Sequence, residues 1–163
     1  MTKSIYLIGF MGSGKTTIGK KISRELQLDF ADMDEVIEKR LNKSIPMIFK
    51  DKGEAYFRIQ ETVVLKQLKV PIIATGGGII ERSENRIFMK ENGIIIYLRT
   101  SFTEIQNRLK DDNERPLWVN GDSKKLYKKR IPLYENIADF TIDTEKYRKE
   151  EIIKKIKGII SFQ

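Results

Sequence analysis

The chain has 163 residues, with 31 Lys and Arg against 23 Asp and Glu, and a formal net charge of +8 at pH 7. This length fits one domain with its own core, so we expect residues 1–163 to form a single unit. Cys and His are both absent, which excludes disulfides, thiolate or imidazole metal sites and His-dependent nucleophilic catalysis. No apolar run approaches the ~20 residues of a membrane span, and the first residues lack a signal-peptide pattern. We therefore expect a cytoplasmic protein that does not bind membranes.

The excess of positive charge suits anionic ligands such as nucleotides and acids, and it also raises the possibility of nucleic-acid binding. The lysines, however, are spread along segments of helical pattern, as in residues 124–129. This distribution is typical of solvated helix faces, so we expect no nucleic-acid partner. Phosphoryl transfer is compatible with the lack of His, because it depends on positioning and charge stabilisation more than on a proton shuttle.

A phosphate-binding loop stands near the start of the chain. Residues 9–16, GFMGSGKT, match the pattern G-x-x-x-x-G-K-[ST]. The apolar run 4–8 before this loop predicts a buried strand. After the loop, Ile18, Ile22 and Leu26 recur every four residues and predict an amphipathic helix. The glycines therefore fall where a strand must turn sharply into a helix, as this motif requires.

The residue types in the loop indicate nucleotide binding. Gly12 and Gly14 permit backbone angles that aim successive N–H groups at a phosphate, and the helix N-terminus adds its positive dipole end. Lys15 can reach the β- and γ-phosphates, and the Thr16 hydroxyl can ligate Mg²⁺. The residues that we expect to contact ATP in this loop are Gly12, Ser13, Gly14, Lys15, Thr16 and Thr17.

Two aspartates follow the second predicted strand, residues 28–31. Ligands of open α/β sheets gather at the carboxyl ends of strands, where these aspartates lie. Asp32 is a candidate Mg²⁺ ligand, and Asp34 is a candidate acceptor for a hydrogen bond from a substrate hydroxyl. The alternative role is helix N-capping, and we expect one of the two to cap.

Residues 44–69 have a helical pattern that Gly53 divides into two helices. Arg58 and Glu61 lie three positions apart and therefore share a helix face. They form either a weak surface ion pair or an arginine fork that grips a substrate carboxylate. Spacing alone favours the surface pair.

Three consecutive glycines, residues 76–78, end the third predicted strand, 70–74. Glycines are poor sheet formers and let the backbone approach a ligand closely, whereas a plain turn needs only one or two. We therefore expect Gly76, Gly77 and Gly78 to form a ligand-contacting loop.

The remaining segments continue the alternation of strands and helices. Helices are predicted at 83–92, 101–110, 123–138 and 147–160, and strands at 94–98 and 139–142. Ser101 and Glu104 have the spacing of a capping box at the start of the second of these helices. Pro132 should break or kink the third. Five short strands alternating with helices predict a parallel sheet covered on both faces.

A polar segment without clear period, residues 110–122, interrupts this pattern. Connections of this length in compact domains are usually functional or disordered. Arg115 within it is a candidate lid arginine over the transferring phosphate, and Arg108 just before it is a candidate to stack on adenine. The alternative is a floppy loop with incidental arginines.

Taken together, these motifs resemble the shikimate kinases, small members of the nucleoside-monophosphate-kinase-like P-loop group. The resemblance covers about residues 5–144 and includes the P-loop, Asp32-Met33-Asp34, Phe57-Arg58 with Glu61, Gly76-Gly77-Gly78, Arg115-Pro116-Leu117 and Arg130-Ile131-Pro132-Leu133-Tyr134. It implies a three-layer α/β/α fold whose five-stranded parallel sheet has the order 2-3-1-4-5. It also implies transfer of the ATP γ-phosphate to the 3-hydroxyl of shikimate, a step of chorismate and aromatic amino-acid biosynthesis.

The resemblance also implies roles for individual residues. Arg58 and Arg130 would clamp the shikimate carboxylate, Asp34 would hold ring hydroxyls, and Lys15, Mg²⁺ and Arg115 would neutralise charge on the transferring phosphoryl group. The acid-binding segment would span about residues 32–61 and the lid about residues 110–122, with Phe49 and Phe57 as an apolar wall. The substrate-binding set would be Asp34, Phe57, Arg58, Glu61, Gly76, Gly77, Gly78 and Arg130. We expect ATP and shikimate as ligands and a monomer in solution.

Three alternatives remain open at this point. A gluconate kinase is similar in size and P-loop but lacks the combined Arg-Pro-Leu and Arg-x-Pro-Leu-Tyr motifs. A nucleoside monophosphate kinase would need a base-recognition pocket that is not evident in the sequence. A regulatory or nucleic-acid-binding module with a degenerate P-loop is disfavoured by the intact Lys15, Thr16 and Asp34.

Overall fold

The computed structural model describes residues 3–111, 118 and 122–162. The strands are β1 Ser4–Ile8, β2 Phe30–Asp32, β3 Ile72–Ala74, β4 Gly93–Arg99 and β5 Phe140–Asp143. The helices are α1 Lys15–Leu26, α2 Met33–Leu41, α3 Ile45–Lys52, α4 Glu54–Gln67, α5 Ser83–Asn92, α6 Phe102–Leu109, α7 Ser123–Ile137 and α8 Lys149–Ser161, with a 3₁₀ turn at Ile79–Glu81. None of the helices in these ranges is both long and apolar enough to cross a membrane.

The five strands form one parallel sheet in the order β2-β3-β1-β4-β5, as predicted. The central strand β1 pairs on one side with β3, Ile5 opposite Ile72, and on the other side with β4, Ile5 opposite Ile94. Strand β1 reads as a continuous apolar run because helices cover both faces of the sheet. Its carboxyl end leads directly into the P-loop, which places the loop at the middle of the sheet edge.

Alternate residues of the strands build two separate cores. Tyr6 and Ile8 of β1 face the layer that contains α2, α3, α4 and α7. Ile5 and Leu7 face the layer formed by α1 and α8. This arrangement follows from the two-residue period of a strand and gives the three-layer architecture that the sequence predicted.

Two local features differ from the sequence prediction. A break or kink was predicted at Pro132, and there is no break, since helix α7 runs from Ser123 to Ile137 with Pro132 inside it. The predicted capping box of α6 is only half formed. Ser101 accepts from the Glu104 amide at 3.2 Å, but the Glu104 carboxylate instead accepts from Arg108 Nε at 2.9 Å.

Candidate active site

The phosphate-binding loop has the backbone that its glycines predicted. Gly12 and Gly14 adopt φ of 81° and 96°, in the left-handed region that favours glycine. The Ser13 amide donates to the Phe10 carbonyl at 3.1 Å and closes the turn. Helix α1 then begins at Lys15, so its first N–H groups face the loop concavity. This is the geometry of an anion-binding site.

Lys15 is buried against the same loop. Its ammonium group donates to the carbonyls of Gly9 at 2.7 Å and Phe10 at 3.0 Å. These bonds hold the Lys15 side chain along the loop rather than in solvent, so its charge lies next to the backbone N–H groups of the turn. A phosphate in the loop would therefore meet both the amides and the ammonium.

Thr16 and Asp32 lie in direct contact across the mouth of the loop. The Thr16 hydroxyl donates to Asp32 Oδ2, and Asp32 Oδ1 accepts from the Glu35 amide at 3.1 Å. Asp32 is thus the N-cap of α2, which leaves Asp34 in the first turn of that helix and at the pocket wall. One of the two aspartates caps, as predicted.

The Thr16 hydroxyl and the Asp32 carboxylate are suitable ligands for Mg²⁺. Within the part of the chain that the structure describes, no group of three or more Asp, Glu, His or Cys residues could hold a metal by itself. A hydroxyl and a carboxylate oxygen in contact are the hard ligands that Mg²⁺ takes when nucleotide phosphates and water complete its octahedron. Thr16 and Asp32 therefore fit a nucleotide-bound Mg²⁺ rather than a free-standing metal site.

A cavity of about 500 Å³ opens above the loop. Its walls include Lys15, Thr16, Thr17, Asp32, Asp34 and Arg108. Arg108 donates from Nη1 to the Gly12 carbonyl at 3.0 Å, which fixes its guanidinium at the edge of the loop. Lys149, at the start of α8, lines the same cavity and was not among the predicted residues. No motif marks it, because it reaches the cavity only through the packing of α8 beside α1.

Arg58 and Glu61 form a buried pair. Their nitrogen and oxygen lie 2.5 Å apart, and the side chains are only 13% and 1% exposed. The preference for a surface ion pair is therefore wrong. Burial raises the pKa of the Glu61 carboxyl, and the charge and hydrogen bond of Arg58 offset only part of that effect. Burial opposes the charged form of Arg58, but Glu61 outweighs it and raises the pKa of the guanidinium, which stays charged.

Arg130 reaches the same region from α7. It is 1% exposed, and its Nη2 donates to Glu81 Oε2 at 3.1 Å. Its guanidinium carbon lies 5.7 Å from the centre of the Phe10 ring in the P-loop. Glu81 ends the 3₁₀ turn that follows the glycines, and the sequence reasoning missed it because no local pattern links residues 81 and 130.

The three glycines are needed for space rather than for unusual backbone angles, since none of them has a left-handed φ. A Cβ on Gly78 would lie 2.5 Å from Arg58 Cζ, and one on Gly77 would lie 3.4 Å from Arg130 Nη1. A Cβ on Gly76 would lie 3.2 Å from Asp34 Oδ1. The loop thus brings two arginines and one aspartate to a single strand end.

Aromatic side chains flank this cluster. The Phe49 and Phe57 rings lie 5.0 Å apart between centroids, and Arg58 Cζ lies 5.3 Å from the Phe57 ring centre. Tyr134, buried beneath the glycines, donates its hydroxyl hydrogen to the Gly77 carbonyl. The two phenylalanines give the cluster the apolar wall that the resemblance implied.

Of the predicted site residues, Arg115 lies outside the described residues, as does most of the predicted lid at 110–122. Trp118 is described and its ring centroid lies 6.1 Å from that of Phe102 at the start of α6. The other predicted residues gather at the carboxyl ends of β1, β2 and β3, in a nucleotide-side group around the P-loop and an acid-side group around the glycines.

Replacing Gly78 by Ala should raise the KM for a carboxylic acid substrate by roughly tenfold or more, because the new methyl group displaces the Arg58 guanidinium. Steady-state kinetics with the acid as varied substrate would measure this. Gly158→Ala is the matched control, since a Cβ there meets nothing within 4 Å. An unchanged KM in Gly78→Ala would show that Arg58 plays no part in binding the acid.

The parallel sheet of order 2-3-1-4-5, with the Lys15 loop at its centre, defines the class of P-loop kinases. A family model described as shikimate kinase matches residues 11–161. The chain belongs to the shikimate kinase family.

Individual relatives agree with this family. A shikimate kinase of Bacillus cereus (strain G9842) is 46% identical over 164 residues, covering 98% of this chain and 99% of that protein. One from Thermodesulfovibrio yellowstonii is 47% identical over 161 residues, covering 94% of this chain and 92% of its own. The structure of shikimate kinase from Acinetobacter baumannii in complex with shikimate matches with a TM-score of 0.91 at 38% identity, covering 98% of this chain and 93% of that one.

Proposed function

We propose that this protein transfers the γ-phosphoryl group of ATP to the 3-hydroxyl of shikimate, giving shikimate 3-phosphate and ADP. The observation that carries the proposal is that the P-loop lies next to a glycine loop at which one buried arginine, Arg130, and one largely buried arginine, Arg58, come together. Family membership and the shikimate complex of the Acinetobacter baumannii relative support the choice of acid. Such a kinase acts in the cytoplasm, where ATP and Mg²⁺ are available, and works as a monomer.

The nucleotide side binds and orients ATP. The loop amides and the Lys15 ammonium group hold the β- and γ-phosphates. Arg108, which lines the same cavity, stacks on the adenine ring. When bound, Mg²⁺ supplies positive charge to the phosphate oxygens, and Thr16 and Asp32 hold it in place. By the family resemblance, Arg115 would add positive charge to the transferring phosphoryl group.

The acid side selects the substrate. Arg58 and Arg130 offer two forks to the shikimate carboxylate, and such charge-assisted bonds reject substrates that lack a carboxylate. The Phe49 and Phe57 rings cover the apolar face of the substrate ring. Asp34 lines the cavity shared with the P-loop, so it accepts a hydrogen bond from the attacking hydroxyl and orients it towards the γ-phosphate.

The Mg²⁺ assignment predicts a specific defect. Asp32→Asn should raise the Mg²⁺ concentration for half-maximal activity by roughly tenfold, because a charged oxygen ligand is lost. Asn is as good an N-cap as Asp, so α2 should start at the same residue. Titration of activity with Mg²⁺ at fixed ATP measures the effect, with the exposed, distant Asp51→Asn as control. An unchanged Mg²⁺ requirement would remove Asp32 from the metal site.

The proposed reaction is tested by ADP release from Mg-ATP in the presence of shikimate, with gluconate and nucleoside monophosphates in parallel. A rate that depends on shikimate and exceeds the rates with the other acceptors is the expected result. Faster turnover of gluconate or of a nucleoside monophosphate would overturn the assignment of substrate. ATP binding without turnover of any acceptor would leave a nucleotide-binding protein of another function.

A further inference from the structure

Glu81 contacts an arginine, Arg130, that the proposed function assigns to carboxylate binding. Its Oε2 accepts from Arg130 Nη2 at 3.1 Å, and its Oε1 accepts from Lys129 Nζ at 2.8 Å. Glu81 is 18% exposed, whereas Arg130 is 1% exposed. The Glu81 carboxylate therefore already occupies one donor of an arginine that the proposed function assigns to the carboxylate of shikimate.

Glu81 is held in this position by its backbone. Arg86 donates from Nη1 to the carbonyls of Ile80 at 2.5 Å and Glu81 at 3.2 Å, and the Asn85 amide group donates to the Ile79 carbonyl at 3.0 Å. All three carbonyls of the 3₁₀ turn are thus fixed by side chains of α5. These bonds fix the backbone of the turn, so the Glu81 side chain extends from a fixed position within reach of Arg130.

Arg130, in contrast, does not need Glu81 to keep its place. It lies within α7, its guanidinium packs 5.7 Å from the Phe10 ring centre, and Gly77 leaves room for its Nη1. Packing on several sides restricts a buried side chain to one rotamer. The main effect of Glu81 on Arg130 is therefore electrostatic.

The Glu81 carboxyl is ionised at neutral pH. Partial burial opposes its charge, but the hydrogen bond from Lys129 and the charge and hydrogen bond of Arg130 outweigh burial and lower its pKa. A negative charge therefore faces Arg130 at neutral pH.

We propose that Glu81 is a resident counter-anion of the acid subsite, which competes with the carboxylate of the substrate for Arg130 and so limits the affinity for that carboxylate. This inference rests on the proposed function, because it takes the anion that replaces Glu81 to be the acid substrate. Glu81 stabilises the protein by neutralising the buried Arg130 guanidinium. It thereby reduces the binding free energy that the substrate carboxylate obtains from Arg130. Glu81 sets the acid affinity at Arg130 without touching the reacting atoms.

The test measures the Kd of shikimate by calorimetry for the wild-type protein and Glu81→Gln, which keeps the shape and removes the charge. Shikimate should bind roughly three- to tenfold more tightly to Glu81→Gln. The melting temperature without ligand should fall, while the increase on adding saturating shikimate should become larger. If Glu81 had a purely structural role, Glu81→Gln would melt at a lower temperature both with and without shikimate, and it would not bind shikimate more tightly. Glu84→Gln, an exposed carboxylate one turn along, is the matched control.

Lys129→Met tests the same inference in the opposite direction. Without Lys129 the Glu81 charge acts more fully on Arg130, so shikimate should bind more weakly than in Lys128→Met, which removes an equal charge from an exposed neighbouring position. This comparison remains available even if Glu81→Gln does not fold. Equal binding by the two lysine variants would overturn the inference, as would unchanged or weaker binding by Glu81→Gln.

The measurements on the wild-type protein and on Glu81→Gln distinguish failure of the proposed function from failure of the inference about Glu81. If the wild-type protein binds no shikimate, the proposed function is wrong and the inference about Glu81 goes with it. If the wild-type protein binds shikimate but Glu81→Gln does not tighten it, the proposed function stands and only the competition between Glu81 and the substrate is wrong.

Discussion

Lys15→Met should reduce kcat for shikimate-dependent ADP formation by roughly two to three orders of magnitude, the loss typical of removing one charge-stabilising donor from a transition state. The Lys15 ammonium group donates to the carbonyls of Gly9 and Phe10. Phosphate oxygens offer it stronger, charge-assisted bonds, so we expect it to turn towards them when ATP binds. Met keeps an unbranched apolar stem and removes the charge together with the N–H donors of the ammonium group.

The measurement is steady-state kinetics together with thermal melting. Lys15→Met should melt close to the wild-type protein, because the loop backbone is closed by the Ser13–Phe10 bond rather than by Lys15 alone. Lys20→Met, which removes an exposed lysine of the same helix, should retain wild-type kcat. Retention of wild-type activity by a folded Lys15→Met protein would contradict a P-loop mechanism.

The carboxylate clamp gives the second large effect. Arg58→Lys and Arg130→Lys should each raise the KM for shikimate by roughly ten- to a hundredfold, since a hydrogen bond to a charged group contributes about 1.5–3 kcal/mol. The KM for ATP should change far less, because neither arginine lines the nucleotide cavity. Lys keeps the positive charge but loses the planar fork, so the effect isolates bidentate recognition from net charge.

Lysine is also the safer substitution for stability. Arg58→Ala would leave the Glu61 carboxylate buried without its partner, which typically costs about 3–5 kcal/mol. Arg40→Lys, at an exposed position on α2 where the side chain donates to Gln67, is the control and should keep the wild-type KM. If both Arg58→Lys and Arg130→Lys kept the wild-type KM, the acid would have to bind elsewhere.

The features that the sequence predicted correctly depend on local pattern. Strand β1 is continuously apolar because both its faces are covered, and the loop after it contains glycines where φ is positive. The sheet order was implied by resemblance to a family, and the Asp32 cap follows from residue type at a helix start. Apart from the sheet order, these predictions concern residues whose environment is determined within one or two turns of chain.

The features that the sequence did not predict depend on distant segments. The spacing of Arg58 and Glu61 predicts that they share a helix face, but it does not indicate whether another segment covers that face. In the structure, the glycine loop covers it. Glu81 meets Arg130 across 49 positions, so no local pattern links them. In α6, the Ser101 amide that would complete the capping box donates instead to Glu145 Oε2 at 2.9 Å, 44 positions along the chain.

The most direct test of the central claim is the structure of the product made from Mg-ATP and shikimate by the wild-type protein. Two-dimensional ³¹P–¹H NMR of the reaction mixture identifies the carbon that carries the new phosphate. The account predicts one phosphate ester, coupled to the proton on C3 and formed in equal amount with ADP. An ester at another hydroxyl, or inorganic phosphate without any ester, would contradict it.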